Sequence, residues 1–125
     1  MSTKEPDMDI PESIEDSRIV FDKNFSEEDK EVLKKGWSQT HFGFGMWLRN
    51  NWGLWEQDET KKNSLVKEFN ALGLYHADDL SSVLLESYHR YLNNEPINLK
   101  EQVKLYRDYW EKVQPSINAG KMNES

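Results

Sequence analysis

Residues 37–55 read WSQTHFGFGMWLRNNWGLW, and the fold class turns on this stretch. It holds four of the five tryptophans, two of the five phenylalanines, three glycines and one arginine. Projected at helical spacing, Trp37, Phe44, Leu48, Trp52 and Trp55 share one side, Trp47 and Leu54 flank it, and Phe42 and Met46 lie opposite. A helix that is apolar on nearly every side is a buried one. The expectation is therefore a buried, Trp-rich central helix with the remaining elements packed around it. Gly43 and Gly45 each weaken a helix by about 1 kcal/mol relative to alanine, and the compensation expected is close approach of a neighbouring backbone. GFG lacks the longer glycine pattern, the preceding strand and the following lysine of a phosphate-binding loop.

Arg49 is the polar exception within this apolar run. A guanidinium keeps its charge at any ordinary pH, so a buried one must find a carboxylate or several carbonyls. With Asn50 and Asn51 it makes a polar knot that either ties the core together or recognises a ligand carboxylate or phosphate. Internal satisfaction is the first reading, and recognition stays open as the second.

The run HFGFGMWLRNNWGLW, followed by FNALGLYHADDLSSVLLESYHRYL, a Pro-Ile turn and EQVKLYRDYW, resembles a group of bacterial proteins grouped as a domain of unknown function. The likeness runs from residue 11 to residue 113. Members of that group usually read HPDD where this chain has His76, Ala77, Asp78 and Asp79, a departure that removes a helix-starting proline. The resemblance implies one domain over this span. It implies no activity and no catalytic residue.

The 125 residues suffice for one domain with a core. Hydrophobic content is 36%, but aromatic residues make up 12%, which concentrates apolar surface in a few large side chains. The net charge of −7 disfavours nucleic acid and anionic lipid, whose counterions are displaced by basic faces. Residues 1–36 carry 11 acids against 6 bases, so most of the negative charge lies in the first third. With no cysteine, disulfides, thiolate chemistry and cysteine zinc sites are excluded. The opening residues have no apolar core of a signal peptide and no run reaches membrane-spanning length, so the expected setting is cytoplasmic.

Helical spacing predicts six helical segments and no strand. A first helix from Pro11 carries Ile14, Phe21 and Phe25, and a second, capped by Ser26, carries Val32, Leu33 and Trp37. After the Trp-rich stretch, Asp58 or Thr60 is expected to cap a helix bearing Leu65, Val66, Phe69 and Leu72, stopped by Gly73. Lys61, Lys62 and Lys67 read as its solvated face. The next helix begins near Ala77, with Leu80, Val83, Leu84, Tyr88 and Tyr91 as its stripe, and ends at Asn93 and Asn94. The last presents Leu99, Val103, Tyr106, Trp110 and Val113 along one face. The expected architecture is all-α, a compact bundle of five to six helices over residues 10–114, with disordered tails at 1–9 and 115–125.

The three histidines, His41, His76 and His89, include no pair at the spacing that places two metal ligands on one helix face. No metal and no cofactor is expected. Asp78 and Asp79 neighbour each other at a helix start, and the pairing expected is Asp79, or failing that Asp78, with Arg49. Ser81 and Ser82 lie close to His76, without a nucleophile-elbow pattern. The polar cluster to test is thus His41, Arg49, Asn50, Asn51, His76, Asp78 and Asp79, either as a ligand site or as structural ties. The functional expectation is a small acidic, non-catalytic binding or regulatory protein that engages another protein, an inhibitor or immunity-type protein being one example. The alternative is a small-ligand binder or enzyme with an anion pocket around Arg49. The sequence sets no oligomeric state.

Overall fold

The computed structural model of the protein describes residues 9–36 and 41–113, and the backbone alone of His41 and Phe42. Trp37, the side chains of His41 and Phe42, and the expected tails at 1–9 and 115–125, apart from Asp9, lie outside the described residues. Six helices follow in order: α1 (Ser17–Asn24), α2 (Glu27–Gly36), α3 (His41–Asn51), α4 (Ser64–Ala71), α5 (Ala77–Leu92) and α6 (Leu99–Val113). No strand occurs among the described residues. The protein is an all-α bundle.

The centre of the bundle is α5, not the Trp-rich helix. α5 packs against α1, α2, α3 and α6. Its residues explain why: Ala77, Leu80, Ser81, Ser82, Val83, Leu84, Leu85, Ser87 and Tyr88 are all buried. Small and aliphatic side chains around its whole circumference let four neighbours approach closely, with the serine hydroxyls bonded locally or across the contact. α3 is instead buried on one side only. Leu48 and Arg49 face inward, as does Trp52 just past its end, whereas Met46, Asn50 and Asn51 are exposed.

Trp55 departs furthest from the helical projection. α3 stops at Asn51, Gly53 turns left-handed at φ +68°, and the Leu54 amide returns to the Arg49 carbonyl at 3.3 Å. That reversal fits a six-to-one helix terminus. It turns Leu54 into the core and leaves Trp55 53% exposed. The close approach expected at the helix glycines is not found at Gly43, where nothing described lies within 4 Å of an added Cβ.

The core is strongly aromatic. Phe21 stacks on both Phe25 and Trp52, with centroids 5.0 and 5.2 Å apart, and leans on Tyr88 at 5.0 Å. Phe21 reaches it from α1 and Phe25 from just past its end; α1 begins at Ser17 and not at Pro11, and residues 12–16 form a bend and turn. That segment is anchored by its own bonds, Ile14 N–H donating to Glu68 Oε1 at 2.7 Å and the Ser64 hydroxyl to the Glu12 carbonyl at 2.9 Å. Asp22 accepts both the Tyr88 phenol at 2.6 Å and the Tyr91 phenol at 2.8 Å, fastening α1 to α5. His89 Nδ1 stands 2.8 Å from the Leu33 carbonyl oxygen, so it carries the proton and ties α5 to α2.

Helix ends follow the residue chemistry with some reassignment. Ser26 Oγ accepts the Asp29 amide at 3.0 Å, as expected for a cap of α2. α4 is capped by Asn63, whose Oδ1 accepts the Val66 amide at 2.9 Å, while Asp58 closes a local turn on Thr60. Lys62 is not on a solvated face: its ammonium lies 2.6 Å from Glu59 and 2.8 Å from Asn70, with the side chain almost wholly covered. Val32 and Val113, both expected inward, are exposed.

Candidate functional site

The expected polar cluster divides in two, because consecutive residues on a helix point about 100° apart. Asp78 turns toward α3 and Asp79 toward α6. Arg49 Nη1 lies 3.2 Å from Asp78 Oδ1 and donates to Ser81 Oγ at 3.0 Å, so the second choice of acid makes the pair and Asp79 does not. The two partners differ sharply in environment, the arginine side chain being 6% exposed and the aspartate 74%. Arg49 Nη2 reaches Met46 Sδ at 4.0 Å, the guanidinium carbon lies 5.7 Å from the centroid of the Trp55 ring, and buried Nε has no hydrogen-bond partner among the described residues. Asn50 Oδ1 accepts the Trp55 indole N–H at 3.0 Å and fixes that ring as a cover. Asn51 bonds back to the Trp47 carbonyl within its own helix.

On the other side of α5, Asp79 Oδ2 accepts the Trp110 indole N–H at 2.7 Å. The His76 ring stacks on the same indole, centroids 3.8 Å apart and planes within 16°. Burial raises the Asp79 carboxyl above its ordinary value, the Trp110 bond and His76 lower it, and Asp78 adds a smaller upward push. These groups line a cleft of about 210 Å³ between the 73–76 connection and α6, completed by Tyr75, Arg107 and Glu111. Sequence reasoning missed Trp110, Arg107 and Glu111 as members. The available signal was that a half-buried indole N–H needs an acceptor, and Asp79 at the start of α5 offers one.

The remaining site chemistry is engaged in packing. The Ser81 hydroxyl accepts from Arg49 and donates to the Asp78 carbonyl at 3.0 Å. Ser82 bonds the Tyr106 phenol, whose ionisation burial makes harder. A second cleft, of about 360 Å³, lies where Ile14, Ser17, Tyr88 and Leu99 converge, and its lining is mainly apolar. Among the described residues no group of three or more His, Cys, Asp or Glu side chains is placed to hold a metal ion. No helix among them is long and apolar enough to cross a membrane.

Residues 10–92 match the family described as Domain of unknown function (DUF6794). The chain belongs to this family. No curated protein matches it, and no solved structure does. The match takes in α1 to α5 and stops before α6, short of the span to 113 that the sequence resemblance implied. The Arg49–Asp78 pair therefore sits wholly inside the DUF6794 domain. The cleft is shared, Asp79 and His76 coming from the domain and Trp110, Arg107 and Glu111 from the helix that follows it.

Proposed function

We propose that the protein is a small acidic, non-catalytic binding or regulatory protein that works by engaging another protein. The observation carrying this reading is the outer face of α6. Leu105, Tyr109 and Val113, spaced four apart, are each more than half exposed, and so is Tyr75 across the cleft. Tyr109 stands edge-on to Trp110, ring centroids 5.3 Å apart. Large apolar side chains gathered on one face favour a partner surface, and aromatic residues supply most binding hot spots. The net charge of −7 favours a partner with a basic surface and disfavours nucleic acid and anionic membranes. A bacterial, cytoplasmic setting belongs to the same reading, in keeping with the cysteine-free sequence. An inhibitor or immunity-type role fits the size and charge.

Capture from native lysate tests it. The wild-type chain is expected to retain a stoichiometric partner that the Leu105→Ser, Tyr109→Ser double variant loses while melting at the same temperature. Retention of the partner by the double variant would exclude the stripe as the interface. The second reading, an anion site at Arg49, is favoured by Nε, which has no hydrogen-bond partner among the described residues. Thermal-shift titration with inorganic phosphate and small carboxylates separates the two, since stabilisation that disappears in Arg49→Met is expected only of the anion site.

A further inference from the structure

The cleft beside Trp110 has the dimensions and polarity of a side-chain socket. At about 210 Å³ it holds several waters at about 30 Å³ each. It falls short of the roughly 300–1,000 Å³ that enclose a nucleotide or a drug-sized ligand. Its charged lining is Asp79, Glu111 and Arg107, with the His76 imidazole beside them. These differ in weight. Arg107 and Glu111 are exposed at the rim, where water and salt screen them. Asp79 is 8% exposed, and a charge in that position acts through a lower effective dielectric. The cleft therefore favours a cation.

The free acceptor narrows the choice further. Oδ2 of Asp79 is taken by the Trp110 indole N–H, and Oδ1 has no hydrogen bond among the described residues. A guanidinium binds a carboxylate best through two parallel bonds to both oxygens, whereas an ammonium is a compact point charge that needs only one. The exposed phenol Tyr75 lines the cleft and supplies the apolar contact that the methylene stem of such a side chain makes.

We infer that this cleft receives the ammonium group of a lysine side chain from the protein partner, held by Asp79 Oδ1 beside the Trp110 indole. The inference rests on the protein-binding reading and supplies the anchor for it. The probe is N-acetyl-lysine-N-methylamide, titrated into the full chain while the Trp110 indole N–H resonance is followed, that signal being assigned by its loss in Trp110→Phe. The expected result is a saturable shift. The norleucine and glutamine analogues, which lack the charge, are expected to bind at least about tenfold more weakly, a difference of roughly 1.4 kcal/mol. Asp79→Asn keeps an acceptor for Trp110 and removes the charge, and it is expected to weaken the lysine probe by a similar factor.

Equal binding of the lysine and norleucine or glutamine probes would overturn the inference, as would an undiminished shift in a folded Asp79→Asn. The comparison of probes needs no variant, so it decides the matter even where Asp79→Asn does not fold. Failure here is distinguishable from failure of the broader reading. A partner lost on the α6 double variant but indifferent to Asp79→Asn, with no probe shift at Trp110, leaves the stripe as the interface and removes the lysine socket.

Discussion

Arg49 and Asp78 form a lopsided pair, and the asymmetry sets what mutation does. Removing one partner of a fully buried pair costs about 3–5 kcal/mol because a charge is stranded. Here only the arginine is buried, so the two deletions differ. Asp78→Ala leaves a covered guanidinium with Ser81 as its oxygen partner among the described residues, beside Met46 and Trp55, and is expected to cost about 1–3 kcal/mol. Arg49→Met strands only a carboxylate that water already reaches, and it places an apolar chain beside Met46 and Trp55. Thermal melts of the two variants are expected to show the larger loss for Asp78→Ala. The reverse order would mean that Arg49 supports the fold through something other than this pair. Asp79 carries a pH signature of its own. Its carboxyl titrates above the ordinary value of 3.8 because it is buried, so the native state holds the proton more tightly than the unfolded chain. Stability from this group is thus greatest below the unfolded value and falls as pH rises through the raised native one. Denaturant titrations are expected to show Asp79→Asn gaining on the wild type across that window, and parallel curves would remove the burial penalty. The need for a carboxylate at Arg49 was legible in the sequence. Which aspartate supplied it was not, because the choice depends on the rotation of α5 about its axis, and that is set by packing on all sides at once.

At the level of helices, most starts and stops were legible because they are local chemistry. Ser26 caps α2, Gly73 ends α4 and Asn93 and Asn94 end α5. Gly73 adopts φ +97°, the Leu74 amide returns to the Phe69 carbonyl at 3.0 Å, and an added Cβ would meet Arg107 Nε at 3.0 Å. Gly73→Ala is therefore expected to destabilise by about 1 kcal/mol or more in a denaturant titration, from left-handed strain together with the displaced guanidinium. Asn63→Ala, which removes the α4 cap, is expected to cost about 0.5–2 kcal/mol, and Asp58→Ala less, since Asp58 closes only an exposed turn. Equal effects would return the cap to Asp58. The projection failed at Trp55 for a local reason too: Gly53 was available to reverse the chain two residues earlier, and periodicity extended past it. The hub was misplaced for a different reason. A count of aromatic residues pointed to 37–55, whereas the capacity to touch four neighbours depends on small side chains at every angle, as in the Ser81, Ser82 and Ser87 positions of α5.

Across the whole molecule, the features assigned here fall on opposite sides of α5. One side is the DUF6794 domain's own Arg49–Asp78 tie under its Met46 and Trp55 cover. The other is α6, whose inner face closes the core through Val103 and partly through Tyr106, and whose outer face carries Leu105, Tyr109 and Val113 into solvent. Helical spacing revealed the inner stripe of α6, because alternation of apolar and charged residues at three and four positions marks one buried side. The outer stripe was hidden by the same pattern, since a second apolar row beside the first reads as breadth of a single face. If the outer row is the docking surface, protection on binding must fall there. Amide hydrogen exchange of the free chain against the captured complex measures this directly. Slowed exchange is expected over residues 73–76 and along α6, with Met46 to Trp55 and the outer faces of α1 and α2 unchanged. Slowing confined to Met46–Trp55 or to α1 and α2, with α6 unaffected, would contradict it.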